Sequence, residues 1–465
     1  MNDHREARAP TPTRQTTLWS IRRTVLLALP IVLAQLAQVS MTFVDTLMVG
    51  RLGPDALAAI ALGSSIYSLV MMVCMGVLFA ISPQVSQAYG ADDVAMIGRA
   101  TRQGLWLALG LTVVAVLVFQ NAGAGLLWMG QDPEIAVLTA GYLRAISWGF
   151  VATLGLIALR GLLEGIGDTR PLMVIGFIGV GLNVVANQAL MFGRWGLPAL
   201  GLVGTGWATS IVFVLMFVMA AVYVQWRYPQ YRVFSELRRP DPSVLRELFV
   251  VGWPIGLTLG FEAGLFATTA LLMGLVGTTE LAAHQIALQT ASFAFMVPVG
   301  VSAATAVRVG QAVGRRDADG ARLAGFTGMG LGTGFMSVTA CLFLVIPEAI
   351  IGLYLDVNDP KNAAVVEAAT RFLSFAAMFQ LVDGLQVCAS GALRGLKDTR
   401  VPMLLALLSY WLVGMGVAVG LTFGLGVGGW GLWMGLVAGL STAACLLSWR
   451  FNRQTRRRFA AVAAD

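Results

Sequence analysis

Twelve apolar stretches, each long enough to cross the hydrocarbon core of a bilayer, account for most of this 465-residue chain. A transmembrane helix needs about 20 predominantly apolar residues. The stretches occupy residues 24–50, 56–88, 100–121, 135–163, 171–193, 201–226, 247–276, 281–313, 320–346, 363–393, 401–423 and 427–449. Because lipid cannot satisfy an exposed backbone, such stretches cross it as helices. The sequence therefore predicts an all-α integral membrane protein with twelve transmembrane helices.

The composition agrees with a membrane protein and argues against other classes. Hydrophobic residues make up 57% of the chain and charged residues only 12%, against about 25% charged in soluble proteins. The 54 glycines suit close packing of membrane helices. The net charge of +7 does not indicate nucleic-acid binding, because the basic residues lie between apolar stretches. The four cysteines lie inside those stretches without metal-ligand spacing and are expected to pack as small apolar residues.

The distribution of Lys and Arg predicts the orientation of the chain. Basic residues concentrate in cytoplasmic loops, and a cytoplasmic N-terminus leaves only five of the 31 on the outer side. These are Arg51, Arg144, Arg194, Lys361 and Arg371. The polar start is not followed by a small-residue cleavage site, which argues against a cleaved signal peptide. We expect a bacterial inner-membrane protein with both termini in the cytoplasm.

The two halves of the sequence are related by an internal repeat. Shifting the second half by 224 positions places Pro254 on Pro30, and the match continues without a gap to Asp93 and Asp317. Identical pairs include Gly50 and Gly274, Gly53 and Gly277, Gly76 and Gly300, and Gln87 and Gln311. Further on, the segment 165–170 matches 395–400. Six helices per half make the repeats parallel, related by a pseudo-two-fold axis along the membrane normal.

The repeat predicts how the chain is divided. Residues 227–243 form the longest polar stretch in mid-chain and the expected inter-lobe linker. They separate an N-terminal lobe, residues 20–226, from a C-terminal lobe, residues 244–450. Cytoplasmic tails, residues 1–19 and 451–465, complete the chain. Transporters built from such repeats bind substrate at the interface between the repeats.

Three acidic residues lie deep in apolar stretches, at Asp45, Glu262 and Asp383. A charge at the middle of a membrane helix costs about 2.5 to 3.5 kcal/mol on insertion scales, so such residues usually serve a function. The repeat pairs each acid with a neutral polar residue, namely Glu262 with Gln38, Asp45 with Thr269 and Asp383 with Thr153. The scaffold therefore does not need the acids, and we predict that they bind a coupling cation. The alternative is that they only hold helices together.

Neutral polar residues add candidate contacts. Asn183 and Asn187 lie one helical turn apart, at a depth where they could meet Asp45. Gln285 and Gln289 have the same spacing and are possible cation or substrate contacts. Amides of this kind also join helices without any further role.

Pro30 and Pro254 occupy matching positions of the repeat and predict either a fixed kink or a bend used in transport. The sequence contains no phosphate-binding loop, metal-ligand cluster or paired nucleophile and histidine. We therefore expect neither an enzyme nor an ATP-driven pump, and no cofactor apart from a coupling ion.

Four segments resemble the multidrug and toxic compound extrusion (MATE) family. They are VDTLMVGRLG from Val44, LRGLLEGIGDTR from Leu159, AAHQIALQ from Ala282 and ALRGLKDTR from Ala392. The resemblance extends over residues 20–450 and implies two bundles of six helices. Within the family, Glu262 and Asp383 match the NorM-type branch.

The resemblance also implies roles for individual residues. Glu262 and Asp383 match positions that couple cations in the C-terminal lobe, and Asp45, Asn183 and Asn187 match the N-terminal-lobe site. In a sodium-coupled member, Na⁺ would bind at Glu262 with Asp383 or at Asp45 with Asn187. The sequence departs from many members of the branch at two positions, where Phe379 replaces Tyr and Gln289 replaces Asn.

We therefore expect a monomeric antiporter that exports organic cations, such as dyes and quinolone-type drugs, in exchange for Na⁺ or H⁺ by alternating access. One alternative is a flippase for lipid-linked saccharides, which would need a basic cavity, whereas no Lys or Arg is expected at mid-membrane. A second is a membrane scaffold or receptor, which would not explain the acids.

Overall fold

The computed structural model describes residues 16–462, and their side chains as far as Arg457. The first half contains eight helices: α1 (Thr17–Val49), α2 (Pro54–Leu78), α3 (Ile81–Gly90), α4 (Val94–Trp128), α5 (Pro133–Ser147), α6 (Phe150–Ile166), α7 (Arg170–Leu190) and α8 (Gly201–Arg227). Most of the predicted N-terminal tail, residues 1–15, and the end of the predicted C-terminal tail, residues 463–465, lie outside the described residues.

The second half also contains eight helices: α9 (Pro242–Val276), α10 (Thr278–Gly314), α11 (Ala318–Val345), α12 (Pro347–Ile351), α13 (Ala363–Gly395), α14 (Arg400–Leu407), α15 (Gly416–Val419) and α16 (Gly429–Val462). Two π-helical segments, Leu408–Met415 and Gly420–Gly424, continue α14 and α15 as one span. The part of the chain that the structure describes contains no β-strand.

Eleven spans are long and apolar enough to cross a membrane, and the bent pair α5–α6 supplies a twelfth. The all-α, twelve-span prediction is thus confirmed. The two helices of the bent pair meet at 49°. Their junction packs tightly against α8, because a Cβ on Gly149 would lie 2.5 Å from the Cα of Ser210, and the Ser210 hydroxyl accepts a hydrogen bond from the Gly149 N–H at 3.1 Å.

Several helices extend beyond the predicted apolar stretches because polar residues cap their ends. α1 begins at Thr17 instead of residue 24, with Thr16 as its N-cap. α4 and α11 are capped by Asp93 and Asp317, whose carboxylates each accept a backbone N–H at 2.8 Å. These two aspartates are a matched pair of the repeat. Hydropathy detects the core of a span, whereas the caps fix its ends.

The two halves cross each other at matched positions where glycine replaces a side chain. α2 packs against α9 so closely that a Cβ on Gly76 would lie 2.3 Å from the Gly256 Cα. α1 packs against α10 in the same way, since a Cβ on Gly300 would lie 2.4 Å from the side chain of Val32. Both crossings depend on the glycine pair found in the repeat.

A reciprocal pair of hydrogen bonds joins the halves at the side of the molecule where most of the arginines lie, which we call the arginine-rich end. Gln87 Nε2 donates to the carbonyl of Gly395 at 2.8 Å, and Gln311 Nε2 donates to the carbonyl of Gly165 at 3.0 Å. Both donors and both acceptors are repeat partners, so the contact obeys the pseudo-two-fold symmetry. We refer to these four residues as the glutamine clasp. Within residues 16–462, the hydrogen bonds identified between the halves cluster at this end.

The segment between α8 and α9 packs against α4. Arg102 donates to the carbonyl of Arg232 at 3.2 Å, and the Trp106 indole donates to the carbonyl of Leu237 at 2.8 Å. The connection between the halves is therefore anchored to the first half.

Candidate functional site

In the first half, Asp45 of α1 is surrounded by hydrogen-bond donors from α7 and α8. Asn183 and Asn187 both donate from Nδ2 to Asp45 Oδ1, at 3.0 and 2.6 Å. The Thr209 hydroxyl donates to Asp45 Oδ2 at 3.4 Å. The two asparagines are completely buried, because their spacing of four residues directs both toward α1. We call these four residues the Asp45 cluster.

The Asp45 cluster has the ligand chemistry of a site for a hard cation. Its carboxylate, two amides and one hydroxyl offer only oxygen ligands, which such cations prefer. Asn187 Oδ1 is buried and has no hydrogen-bond partner among residues 16–462, so it could coordinate a cation. Thr209 was not identified from the sequence, where it is one of four hydroxyl residues within the apolar stretch 201–226; contact with Asp45 distinguishes it.

In the second half, the structure brings Glu262 of α9 and Asp383 of α13 together. Phe266 of α9 and Phe379 of α13 pack with ring centroids 5.9 Å apart, and Glu262 and Asp383 each lie one turn from this contact on the same two helices. Asp383 is only 3% exposed, whereas Glu262 is partly buried. In the described part of the chain, Asp383 Oδ1 has no hydrogen-bond partner. The pair therefore differs from the Asp45 cluster in having a buried carboxylate oxygen that no donor satisfies.

Buried polar side chains surround this pair. Gln386, one turn after Asp383 on α13, donates from Nε2 to the hydroxyl of Tyr410 at 2.7 Å. Gln386 Oε1 lacks a partner within the described ranges. The ring nitrogens of His284 also lack partners there, but that ring packs against Trp433, with centroids 5.6 Å apart. Tyr410 lies in the first π-helical segment, a type of irregularity that is frequent at functional sites. No feature of the sequence predicts this irregularity.

Each half contains a small cavity next to these positions, and an arginine lines each one. In the second half a cavity of about 40 Å³ is lined by Glu262 and Arg394. In the first half a cavity of about 60 Å³ is lined by Gln38, Thr153 and Arg160. Gln38, Leu156 and Arg160 of the first cavity are the repeat partners of Glu262, Gln386 and Ser390, which line the second, so the two cavities are equivalent.

The two inward arginines correct the expectation that arginines lie only in loops. Arg160 forms an ion pair with Glu164 on its own helix at 2.6 Å. Arg394 donates to the Ser302 hydroxyl at 2.8 Å and influences Glu262 electrostatically, although no ion pair joins them among the described residues. Both arginines are near helix ends, from which a long side chain can extend inward.

A family comparison identifies the protein class. The MatE family profile matches residues 30–188 and again residues 254–419. The chain belongs to the MatE family. The second match begins 224 residues after the first, which is the shift of the internal repeat. Members of this family are membrane transporters for multidrug efflux, so the protein is an integral membrane transporter and not an enzyme.

Curated relatives cover almost the whole chain. It is 44% identical over 433 residues to the "Probable multidrug resistance protein NorM" of Pseudomonas putida, covering 93% of this chain and 94% of the relative. It is 40% identical over 439 residues to the "Multidrug resistance protein NorM" of Burkholderia vietnamiensis, covering 94% and 95%.

Solved structures have the same fold at low identity. A structure described as "Crystal structure of MATE in the bent conformation" has a TM-score of 0.86 at 19% identity, covering 97% of this chain and 99% of that one. "Crystal structure of eukaryotic MATE transporter AtDTX14" has a TM-score of 0.81 at 21% identity, covering 95% and 99%. These likenesses support the twelve-helix fold.

The remaining predicted residues occupy different environments within this MatE fold. Gln285 and Gln289 are exposed on α10. Phe379 is buried against Phe266 and Trp433, with ring centroids 5.9 and 6.0 Å apart. Its ring cannot supply an oxygen ligand beside Asp383, so any cation bound there would depend on the carboxylates and on amides.

The two prolines of the repeat lie within unbroken helices. Pro30 is inside α1 and Pro254 is inside α9. A proline removes one backbone hydrogen bond from a helix, so each is a place where bending costs little. Their use as bending points stays a prediction.

Proposed function

We propose that this MatE transporter exports organic cations, including dyes and quinolone-type drugs, in exchange for Na⁺ or H⁺. The single observation that carries the proposal is the state of the three intramembrane acids. Within residues 16–462, no Lys, Arg or His lies within ion-pair distance of Asp45, Glu262 or Asp383. Buried carboxylates without a resident cation favour cationic ligands.

Competition for these carboxylates would couple the two fluxes. A single carboxylate cannot neutralise both a drug cation and a coupling ion, so arrival of one weakens the binding of the other. Glu262 and Asp383 lie on facing helices, each one turn from the Phe266–Phe379 contact, and two neighbouring carboxyls can share one proton or one metal cation between them. The Asp45 cluster offers a separate set of oxygen ligands in the other half. We assign cation coupling to these residues, with Gln38, Gln285 and Gln289 as further contacts.

The glutamine clasp supports alternating access. The halves are joined at their arginine-rich ends, which the positive-inside bias assigns to the cytoplasm. We propose that residues 20–226 and 244–450 rock as two lobes in the inner membrane, with both termini cytoplasmic and the protein acting as a monomer without ATP. When the clasp closes the cytoplasmic end, the binding sites can open only toward the opposite side of the membrane. Pro30 and Pro254 are the proposed bending points within these lobes.

The inward arginines are the observation that would favour a lipid-linked saccharide flippase, because phosphates need basic partners. Each is already engaged, Arg160 by Glu164 and Arg394 by Ser302. Among the described residues Arg394 has no acidic partner, but Asp45, Glu262 and Asp383 have no basic one, so the excess of unpaired charge within the halves is acidic and supports cationic substrates.

The test is ethidium efflux from proteoliposomes containing the purified chain, with an imposed Na⁺ gradient, pH gradient or neither. We expect efflux with at least one gradient and little without. Expression in a pump-deficient bacterium should also raise tolerance to norfloxacin. Unchanged dye transport and tolerance, with membrane insertion confirmed, would contradict drug export. Equal efflux with and without gradients would contradict antiport.

A further inference from the structure

A wide cavity lies at the arginine-rich end of the molecule, and none of the three intramembrane acids lines it. It has a volume of about 640 Å³ and is formed by the start of α1, the α6–α7 turn, and the ends of α8 and α10. Five arginines and a single aspartate line it; the arginines are Arg23, Arg170, Arg227, Arg308 and Arg315. We call it the arginine cavity.

Asp168 is the single acid among the described lining residues, against five arginines. Asp168 accepts hydrogen bonds from the hydroxyls of Tyr223 and Tyr228 at 2.7 and 2.8 Å. At the equivalent position of the other half, Asp398 forms an ion pair with Arg450 at 2.7 Å. In the first half two phenols donate to this aspartate, and one acid against five arginines leaves the arginine cavity with an excess of positive charge.

The arginines lie close together and are partly fixed in place. Arg308 donates to the carbonyl and the hydroxyl of Ser20, both at 2.8 Å. Trp19 has Arg23 over its ring at 4.5 Å and Arg308 at 5.8 Å. In the described part of the chain, neither of these arginines forms an ion pair, and the same is true of Arg170 and Arg315. Such crowding of positive charge favours an anion.

The walls of the cavity indicate that the anion belongs to a lipid. Leu26 lines the cavity and is 58% exposed, and Leu29 on the same helix is 53% exposed. Trp226, at the end of α8, is 79% exposed. Exposed tryptophans near helix ends mark the headgroup level of a bilayer. The cavity thus combines a basic interior at headgroup depth with exposed apolar side chains beside it, on which acyl chains can lie.

We propose that the arginine cavity binds the phosphate-bearing headgroup of an anionic phospholipid from the leaflet at this face. Basic pockets between helices on the cytoplasmic side commonly bind such headgroups. Phosphatidylcholine carries a cation that would face several arginines, and Asp168 is already occupied by two phenols. The cavity should therefore bind anionic phospholipids in preference to phosphatidylcholine. The proposal does not depend on the transported substrate or on the coupling ion.

The experiment measures lipid binding to the purified full-length chain in detergent, by native mass spectrometry and by the shift in Tm during lipid titration. The probes are phosphatidylglycerol, phosphatidylcholine and inorganic phosphate. We expect phosphatidylglycerol to bind at least tenfold more tightly than phosphatidylcholine. The pair Arg170→Gln and Arg315→Gln should weaken phosphatidylglycerol about thirtyfold, since each basic residue near a membrane surface contributes on the order of a factor of five.

A matched control removes two arginines that do not line the cavity. Arg246→Gln with Arg400→Gln makes the same change in net charge at exposed positions and should bind phosphatidylglycerol as the parent does. If the first pair folds poorly, judged by its Tm without lipid, Arg23→Gln with Arg315→Gln replaces it.

Three outcomes would overturn the proposal. The first is equal affinity for the two phospholipids. The second is an equal loss in the control pair, which would mean attraction by net charge alone. The third is displacement of phosphatidylglycerol by millimolar inorganic phosphate with the same Tm shift, which would assign the cavity to a free anion.

Discussion

The two halves of this transporter have the same helix arrangement, but their buried acidic residues have different surroundings. In the first half, Asp45 accepts hydrogen bonds from three neutral side chains. In the second half, Asp383 has a buried oxygen without a partner among residues 16–462, and a second carboxyl, Glu262, lies on the facing helix one turn from the Phe266–Phe379 contact. A carboxylate held by neutral donors can remain charged in a buried site, whereas two adjacent carboxyls need a proton or cation between them.

This difference assigns distinct tasks to the halves. The second-half pair changes its interaction energy most when a cation arrives or leaves, so we propose it as the main coupling site. The Asp45 cluster is preorganised and should adjust affinity, since its donors are in place before any ligand binds. Repeat symmetry alone would predict equivalent sites in the two halves. The sites differ because each acid has a neutral residue at the matching position of the other half.

The largest expected effect is loss of transport when either second-half acid is neutralised. Glu262→Gln and Asp383→Asn should each reduce ion-driven ethidium efflux in proteoliposomes to the level of protein-free vesicles. The double variant should be little worse than either single one, because residues that act as a unit are not additive.

Glu348→Gln is the matched control, since Glu348 is an exposed acid of the same half, and it should keep normal efflux. Full activity of either coupling variant at equal protein levels would refute a coupling role for the pair. A double variant far worse than both singles would mean two separate sites.

A smaller effect is expected in the first half. Asn187→Ala removes the shortest hydrogen bond to Asp45, at 2.6 Å, and hydrogen bonds to charged groups contribute about 1.5 to 3 kcal/mol. We expect efflux to fall roughly tenfold, with folded protein still in the membrane. Asp45→Asn should lower efflux further and should do so independently in a partly active Glu262→Asp background.

The control for this change is Asn121→Ala, because Asn121 is exposed and donates only to a carbonyl of its own helix. Normal efflux by the Asn187 variant would leave the asparagines with a packing role. If instead Asp45→Asn added nothing to Glu262→Asp, the proposed division of tasks between the halves would be wrong.

The sequence was sufficient for the fold because its signals are long and redundant. Twelve apolar stretches predict the helices and their number, and a repeat with aligned glycines predicts that the two sets of six are related by symmetry. These two signals are enough to predict the fold. The proximity of Asp45 to the two asparagines was also accessible, because depth and the spacing of four residues are enough to predict it. Their role in transport stays a prediction.

Other features depend on tertiary contacts that hydropathy does not encode. Thr209 differs from other hydroxyls of α8 only in lying beside Asp45. Tyr410 lies in a π-helical turn of a stretch that appears regular in sequence. Arg394 was expected in a loop, but its side chain extends back toward Glu262. In each case the decisive information is the position of a neighbouring helix.

The smallest expected effect concerns the glutamine clasp, the contact in which the two halves are most alike. Gln87 and Gln311 each donate one hydrogen bond across the interface, at 2.8 and 3.0 Å. A typical hydrogen bond contributes about 1 kcal/mol net, roughly a fivefold change in an equilibrium constant. Gln87→Ala and Gln311→Ala should therefore each shift the lobes toward separation at this end by a similar factor.

Labelling of a buried interface position measures that shift. Ser86 is completely buried beside Gly310, so Ser86→Cys, in a variant without the four native cysteines, should react slowly with a water-soluble maleimide. Each glutamine change should raise the rate about fivefold. Gln103→Ala is the control, because Gln103 donates to the linker carbonyl of Arg239 and not to the other half. A rate increase from only one of the two changes would show that the halves are unequal here as well, and an unchanged rate in both would mean that helix packing alone holds this end closed.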